Sequence, residues 1–302
     1  MKHDKLDELN IYAGVDTLQV RTRTPVKSDT PLPFITHEVT KEKGDNNEYS
    51  YYILNPDKGN NDLPIYNSAD YHRTLNSMLD LMEIEKPLIT RIDYRLDSFD
   101  ENFTDYAKLN KLVILLISQE YNVTNRYESR DLLTNEALTI RIQNRHIEAE
   151  NYNKSLQEPN DIVKNRLELR SKSVYTNAYD FDTTRREFLK WCKRLDKSVT
   201  AENIDTLLHE INIALLERFK EWTERKGHKL NSFIQAYENS IFTRRQLIDL
   251  FSLMGLKNPV KRADNYKRSN EIEYFSLRNI LDYVQKIKQS GADFFGEENT
   301  QI

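Results

Sequence analysis

With 302 residues, 38% of them hydrophobic and 30% charged, the chain has the balance of a soluble globular protein and the length of two domains. Its longest apolar run, Leu112 to Ile117, is too short to cross a bilayer, and MKHDKLDEL lacks a signal-peptide core, so a cytoplasmic protein without a membrane anchor is expected. The single cysteine, Cys192, excludes an internal disulfide, and the net charge of −4 is uneven: residues 217–288 hold 15 Lys and Arg against 9 Asp and Glu, leaving −10 elsewhere. That basic stretch suits a polyanion partner, and it equally suits a solvated helical surface.

The charged leader 1–10 is followed by Tyr12–Thr24, which reads as a first strand with Asp16, Leu18 and Val20 on one face and Val15, Thr17 and Gln19 on the other. Residues 25–47 read as a polar loop, Glu48–Leu54 as a second strand, Asn55–Asp62 as a reversing turn and Leu63–Tyr66 as its return strand. A helix from Ser68 to Met82 would bury Leu75, Met78, Leu79 and Met82. In Leu88–Asp97, LITRIDYRLD, the alternation sets Arg91, Asp93, Arg95 and Asp97 opposite Leu88, Thr90, Ile92, Tyr94 and Leu96. Asp93 and Asp97 stand about 13 Å apart on a regular strand, too far to share one ion without a bend or bulge. Alternating charge is also a common way for a strand to stay soluble.

A well-buried helix is expected over 103–120 and a strand over 137–142, with a hairpin tip at Gln143-Asn144-Arg145, where the apolar parity switches. The return strand carries Ile147 and Ala149 on one face and His146, Glu148, Glu150 and Tyr152 on the other. In the strand around 166–172, Leu167 and Leu169 oppose Arg166, Glu168, Arg170 and Lys172. These outer faces carry carboxylates, cations and a phenol, the composition of a working surface. From about Thr183 helical spacing dominates, with helices expected at 184–195, 202–226, 230–239, 243–254 and 276–289. Thr243–Met254 followed by Gly255 has the layout of the first helix and turn of a helix-turn-helix. Its second helix, from Asn258-Pro259, would present Lys261, Arg262, Lys267 and Arg268 beside Arg244 and Arg245 of the first. An ordinary helical hairpin with a basic edge accounts for the pattern equally well.

The chemistry lies in the company Tyr152 keeps. A phenol with a pKa near 10 is a weak nucleophile at neutral pH without nearby cationic charge or a metal-activated target. Asp93, Asp97, Glu150 and Glu168, brought together, would form an oxygen-rich site for Mg²⁺ or Mn²⁺. Arg91, Lys154, Arg166 and Lys172 would then hold phosphate oxygens. Tyrosine, carboxylates, divalent metal and cations are together the parts for cutting DNA through a phosphotyrosyl ester. The six histidines are dispersed without a His-x-His pair, the chain has no glycine-rich phosphate loop, and a serine triad has no glycine elbow.

Three motifs occur in an order that resembles the replication initiators of rolling-circle plasmids of the Rep_trans type and the related relaxases of conjugative elements. They are Thr90-Arg91-Ile92-Asp93 continuing to Asp97, Tyr152-Asn153-Lys154, and Arg166-Leu167-Glu168 through Lys172. The resemblance spans roughly residues 12–172 and implies Tyr152 as nucleophile, with Asp93 and Glu168 as the better metal-ligand candidates. The connection from Tyr152 to Arg166 is shorter than the family pattern, and Glu148 and Glu150 stand where the family often has arginine or apolar residues. The expected architecture is α+β: an antiparallel-rich sheet with helices on one face over 1–178, the nicking domain, then an all-α DNA-binding domain of helix-turn-helix or winged-helix type over 179–302. The expected activity is nicking and rejoining of plasmid origin DNA to start rolling-circle replication. A relaxase of a mobile element and a non-catalytic DNA-binding initiator are the alternatives. A host helicase, a host polymerase and a second copy of the chain are partners that the resemblance implies.

Overall fold

The computed structural model describes residues 10–23, 25–26, 31–43, 47–99, 103–121, 140–152, 154, 165–180, 182–226, 230–237, 243–270 and 276–296. Seven strands form one sheet: β1 (Ile11–Thr22), β2 (Ile35–Lys43), β3 (Asn47–Leu54), β4 (Leu88–Ser98), β5 (Ile140–Gln143), β6 (Ile147–Tyr152) and β7 (Asn165–Asn177). Their order is β2-β3-β1-β4-β7-β6-β5, with neighbours antiparallel throughout. The α+β expectation is met, and the three charge-bearing strands lie side by side as β4-β7-β6.

One face is apolar. Val15, Leu18, Val20, Ile92, Tyr94, Leu96, Leu167, Leu169, Ile147 and Ala149 are buried on it. It packs against α3 (Phe103–Glu120), α4 (Asp182–Ser198) and α9 (Leu277–Phe295), all belonging to one continuous core. The last helix comes close because Gly291 lacks a side chain: a Cβ there would stand 1.9 Å from the Phe188 ring of α4. Helices from beyond the β7–α4 turn thus cover the sheet, leaving its other face to the polar residues.

Several local expectations are corrected. The parity expected for β1 fails at Asp16, where a bulge between Val15 and Thr17 adds a residue and puts Val15 and Leu18 on the same buried face. The expected loop 25–47 contains β2, an edge strand whose sequence ITHEVTKEK offers little apolar alternation; charged edges of this kind discourage further pairing. Residues 63–66 form no strand. The turn before them holds a one-turn helix, α1 (Pro56–Gly59), because Asn55 caps Lys58 and Pro56 fits the first helical position. Helix α2 (Ser68–Met82) has the expected bounds, capped by Asn67, and buries the four expected residues together with Tyr71.

Beyond α4 come α5 (Ala201–Lys226), α6 (Leu230–Ala236), α7 (Arg244–Leu253) and α8 (Pro259–Asn270), and the described residues after β7 carry no strand, hence no wing. Helices α7 and α8 pack on each other as the expected helical pair, and α7 packs on α5. Thr243 and Gln246 form a reciprocal capping box at the start of α7. The turn after it uses Gly255 and Asn258 at φ +68° and +55°, where glycine and asparagine are tolerated best.

Candidate active site

The antiparallel register dictates the site. Across β4, β7 and β6 it sets Asp93 opposite Arg170 and Arg170 opposite Glu148; one row on, Arg95 faces Glu168 and Glu168 faces Glu150; the next row is Asp97, Arg166 and Tyr152. Alternation then raises all of these side chains on the polar face. Asp93 and Glu168 therefore share a face, both reached by the Arg170 guanidinium. Arg170 also contacts Glu148 and lies 3.3 Å from Glu150. One cation serves four carboxylates.

Tyr152 ends β6 and is 7% exposed. Its hydroxyl donates to Glu168 Oε1 across the strand pair. Burial, then the charge of Glu168, raises the phenol pKa well above its ordinary value, so the group is held protonated. Burial also raises the Glu168 carboxyl, with Asp16 adding to the effect and Arg170 opposing it. A hydroxyl hydrogen-bonded to a carboxylate of raised pKa has a proton acceptor already in place.

The neighbouring row is an ion-pair lattice. Arg166 grips Asp97 with two bonds, at 2.6 and 3.0 Å, and reaches Asp16 at 2.5 Å. The bulge in β1 is what places Asp16 on this face. Arg95 lies 3.6 Å from Asp97 and is anchored by Asp57 of α1 and the Ile65 carbonyl, at 3.1 Å. Burial raises the Asp97 carboxyl despite Arg166 and Arg95. Arg91 forks onto Asp93, which also accepts a 2.7 Å bond from Thr17. Lys172 lies 2.5 Å from Glu148 and reaches the hairpin tip at Gln143 and Asn144. For Glu148, burial raises the pKa, but Lys172, Arg170 and Arg141 outweigh it and the net shift is downward.

These placements revise the roles of several expected residues. Asp97 and Arg166 are buried and engaged with each other. Asp93, Glu150 and Glu168, the other expected ion ligands, surround the Arg170 guanidinium, and among the described residues no three His, Cys, Asp or Glu side chains group as metal ligands. In this arrangement the Arg170 guanidinium stands among the carboxylates expected to hold a divalent ion. Lys172 is engaged by Glu148, Arg91 by Asp93, and Lys154 is half-buried just past β6. In the helical pair, Arg244 pairs with Asp264 and Arg245 with Asp249, while Lys261 and Arg262 are exposed. The Lys267 and Arg268 side chains lie outside the described residues. Tyr94 points to the apolar face, as its parity requires, and donates to the Thr184 carbonyl at 2.6 Å.

On the apolar side, strands β6 and β7 are tied together just before Tyr152 and Arg166. Asn110 of α3 donates to Asn151 at 2.9 Å and Asn165 at 3.1 Å, and accepts from Tyr283 of α9. Asp16, Arg170 and this buried amide cluster were not singled out from the sequence. Arg170 stood in the alternation, but its role as the shared cation depends on register; the other residues depend on a bulge and on helix packing.

No protein-family model and no curated protein matches the chain. Among solved structures, the rolling circle replication initiator protein from Geobacillus stearothermophilus is similar at 15% identity over 60% of this chain and 79% of that chain, with a TM-score of 0.29.

Proposed function

We propose that this chain is a nicking and closing enzyme that initiates replication of a plasmid or mobile element at its origin DNA. The reading rests on the hydrogen bond from Tyr152 to Glu168, set in a face of matched acids and guanidinium groups. Tyr152 Oη attacks the scissile phosphorus while Glu168 accepts the phenolic proton. The new Oη–P bond replaces the P–O3′ bond, and the departing 3′ oxygen takes a proton from water. The chain is then joined to the 5′ phosphate, leaving a free 3′ hydroxyl for a polymerase to extend. Reversal of the same steps closes the strand. Arg91 is the half-exposed guanidinium at the edge of this group, suited to holding a phosphate oxygen.

The test is incubation of supercoiled DNA carrying the origin of the encoding replicon with the chain, with and without Mg²⁺ or Mn²⁺. Nicked circles bearing covalently attached protein are expected from the wild type and none from Tyr152→Phe. A covalent adduct formed by Tyr152→Phe would remove Tyr152 from the mechanism.

A further inference from the structure

The polar face continues past the ion-pair lattice to a patch of different character. Along β1, Arg21 follows Thr17 and Gln19 on the same face and stands opposite Tyr51 of β3. The Arg21 guanidinium lies 4.7 Å from the centroid of the Tyr49 ring and 5.4 Å from that of Tyr175. Arg23 lies 5.6 Å from the Tyr49 centroid and donates to its hydroxyl at 3.4 Å. Two rings and two guanidinium groups thus form one cluster.

Three observations distinguish this cluster from a solvated edge. Within the lattice, Arg91, Arg95, Arg141, Arg166 and Arg170 all face carboxylates. Among the described residues, Arg21 and Arg23 make their contacts with tyrosine rings and a tyrosine hydroxyl rather than with a carboxylate. Tyr175 is 57% exposed, so its ring is open to a ligand beside Arg21. Finally, the end of β7 is locally strained: Ser173 and Tyr175 sit at φ +62° and +52°, the left-handed region that non-glycine residues seldom occupy.

From these we infer that Arg21, Arg23, Tyr49 and Tyr175 form a binding site for single-stranded nucleic acid, in which bases stack on the rings and phosphates pair with the guanidinium groups. Stacking of this kind needs unpaired bases, which selects a single strand over a duplex and tolerates any sequence. The two guanidinium groups supply the complement to the phosphates. The choice of a nucleic acid as occupant rests on the nicking reading of Tyr152. Tyr175 lies just past the six regular steps of β7 from Arg166, the register partner of Tyr152, to Lys172, in the bulge that follows, which is roughly 20 Å along the same sheet. The patch would therefore hold the strand several nucleotides from the cleaved bond.

The test measures binding of a fluorescently labelled oligothymidine of about 15 nucleotides to the full chain carrying Tyr152→Phe, so that no cleavage intervenes. Adding Tyr175→Ala should weaken binding roughly 5- to 100-fold, and Tyr175→Phe should restore it. Adding Arg21→Ala and Arg23→Ala together should reduce the slope of log affinity against log salt by about 1.4, at about 0.7 per single-strand phosphate contact. Melting temperatures, recorded in parallel, should be unchanged, since these side chains lie at the surface. Affinity unaltered by all of these changes, no binding of the oligonucleotide, or equal loss with a blunt duplex would overturn the site. Nicking by the Tyr152 chain is assayed separately. Nicking with unaltered oligonucleotide binding in the variants would refute only the patch; patch-dependent binding without nicking would refute only the enzyme.

Discussion

Tyr152 and Glu168 are hydrogen-bonded although the register pairs Tyr152 with Arg166 and Glu168 with Glu150. The bond is diagonal, between side chains one row apart on the same face, and long side chains reach that distance. Arg166 cannot take the phenol because Asp97 and Asp16 already hold it. Glu168 is likewise turned from Glu150 by Arg170, which lies between the two carboxylates. The geometry of the proposed nucleophile is therefore set by Arg166 and by Arg170, which bonds the second carboxylate oxygen of the proposed proton acceptor.

Replacing Glu168 by glutamine should preserve the contact with Tyr152 while removing the proton acceptor. Nicking by Glu168→Gln is expected to fall roughly 10²- to 10⁴-fold, the usual worth of a general base. The pH profile separates this role from a structural one. The acceptor must be ionised, and burial and Asp16 raise its pKa, so the wild-type rate should decline on the acid side at a higher pH than an ordinary glutamate would give. That limb should be absent from the residual activity of Glu168→Gln. An unchanged acid limb would dismiss Glu168 as the base.

Glu148 should contribute chiefly to stability. It is buried against Arg170, Lys172 and Arg141, and removing it leaves their charges uncompensated. Glu148→Ala is expected to lose about 3–5 kcal/mol in urea unfolding, as when one partner of a buried pair is deleted. Because its folded pKa lies below the unfolded value, its contribution is full above the ordinary glutamate pKa and is lost as pH falls through the folded value. The gap between wild type and Glu148→Ala should accordingly narrow in acid.

Much of this site could be read in the sequence, for a physical reason. The period of two on a strand is rigid, so LITRIDYRLD and RLELRSK declared their polar faces, and the parity switch at Gln143-Asn144-Arg145 located the hairpin that delivers Tyr152. What alternation cannot give is register and bulges. Asp16 was assigned among buried neighbours because one extra residue in β1 reverses the count. The pairing of Asp97 with Arg166 follows from which residues stand opposite, and strands of similar composition leave that open. Strand β2 was missed because its edge position requires little apolar pattern.

Arg170 should be irreplaceable by lysine. Its guanidinium contacts Glu148 and Glu168 and lies near Asp93 and Glu150, a spread that a compact ammonium cannot cover. Arg170→Ala should lose about 3–5 kcal/mol near neutral pH, with Arg170→Lys recovering only part. The deficit should shrink as pH falls and the carboxylates protonate. A lysine variant as stable as the parent would mean that the four acids need only a point charge.

Gly14 stands opposite Arg95 in the register of β1 and β4, and an added Cβ would lie 2.8 Å from Arg95 Nε and 2.8 Å from the Ile65 carbonyl. Both neighbours are constrained: Arg95 is buried and bonded to Asp57, and the carbonyl accepts from Arg95. Gly14→Ala should therefore cost about 1–3 kcal/mol through overpacking. Because Arg95 neighbours Asp97, the partner of Arg166, the same change should lower nicking more than binding of DNA.

The amide cluster beneath the sheet offers a test of how the C-terminal helix supports the site. Asn110 bridges Asn151 and Asn165, the residues immediately before Tyr152 and Arg166, while Tyr283 from α9 donates to its oxygen. All four are buried, so Asn110→Leu removes three buried hydrogen bonds and strands the Asn165 and Tyr283 groups, each worth about 1–3 kcal/mol when left unpaired. Tyr283→Phe removes one of those groups and should be milder alone. Because the two side chains share a bond, their losses should not add: the double variant is expected to be less destabilised than the sum by about 0.5–3 kcal/mol. Nicking should fall in Asn110→Leu, with kcat lowered more than KM is raised, because β6 and β7 would no longer be fixed relative to each other where Tyr152 meets Glu168. Strictly additive losses, with nicking reduced only in proportion to the unfolded fraction, would reduce the cluster to ordinary core packing.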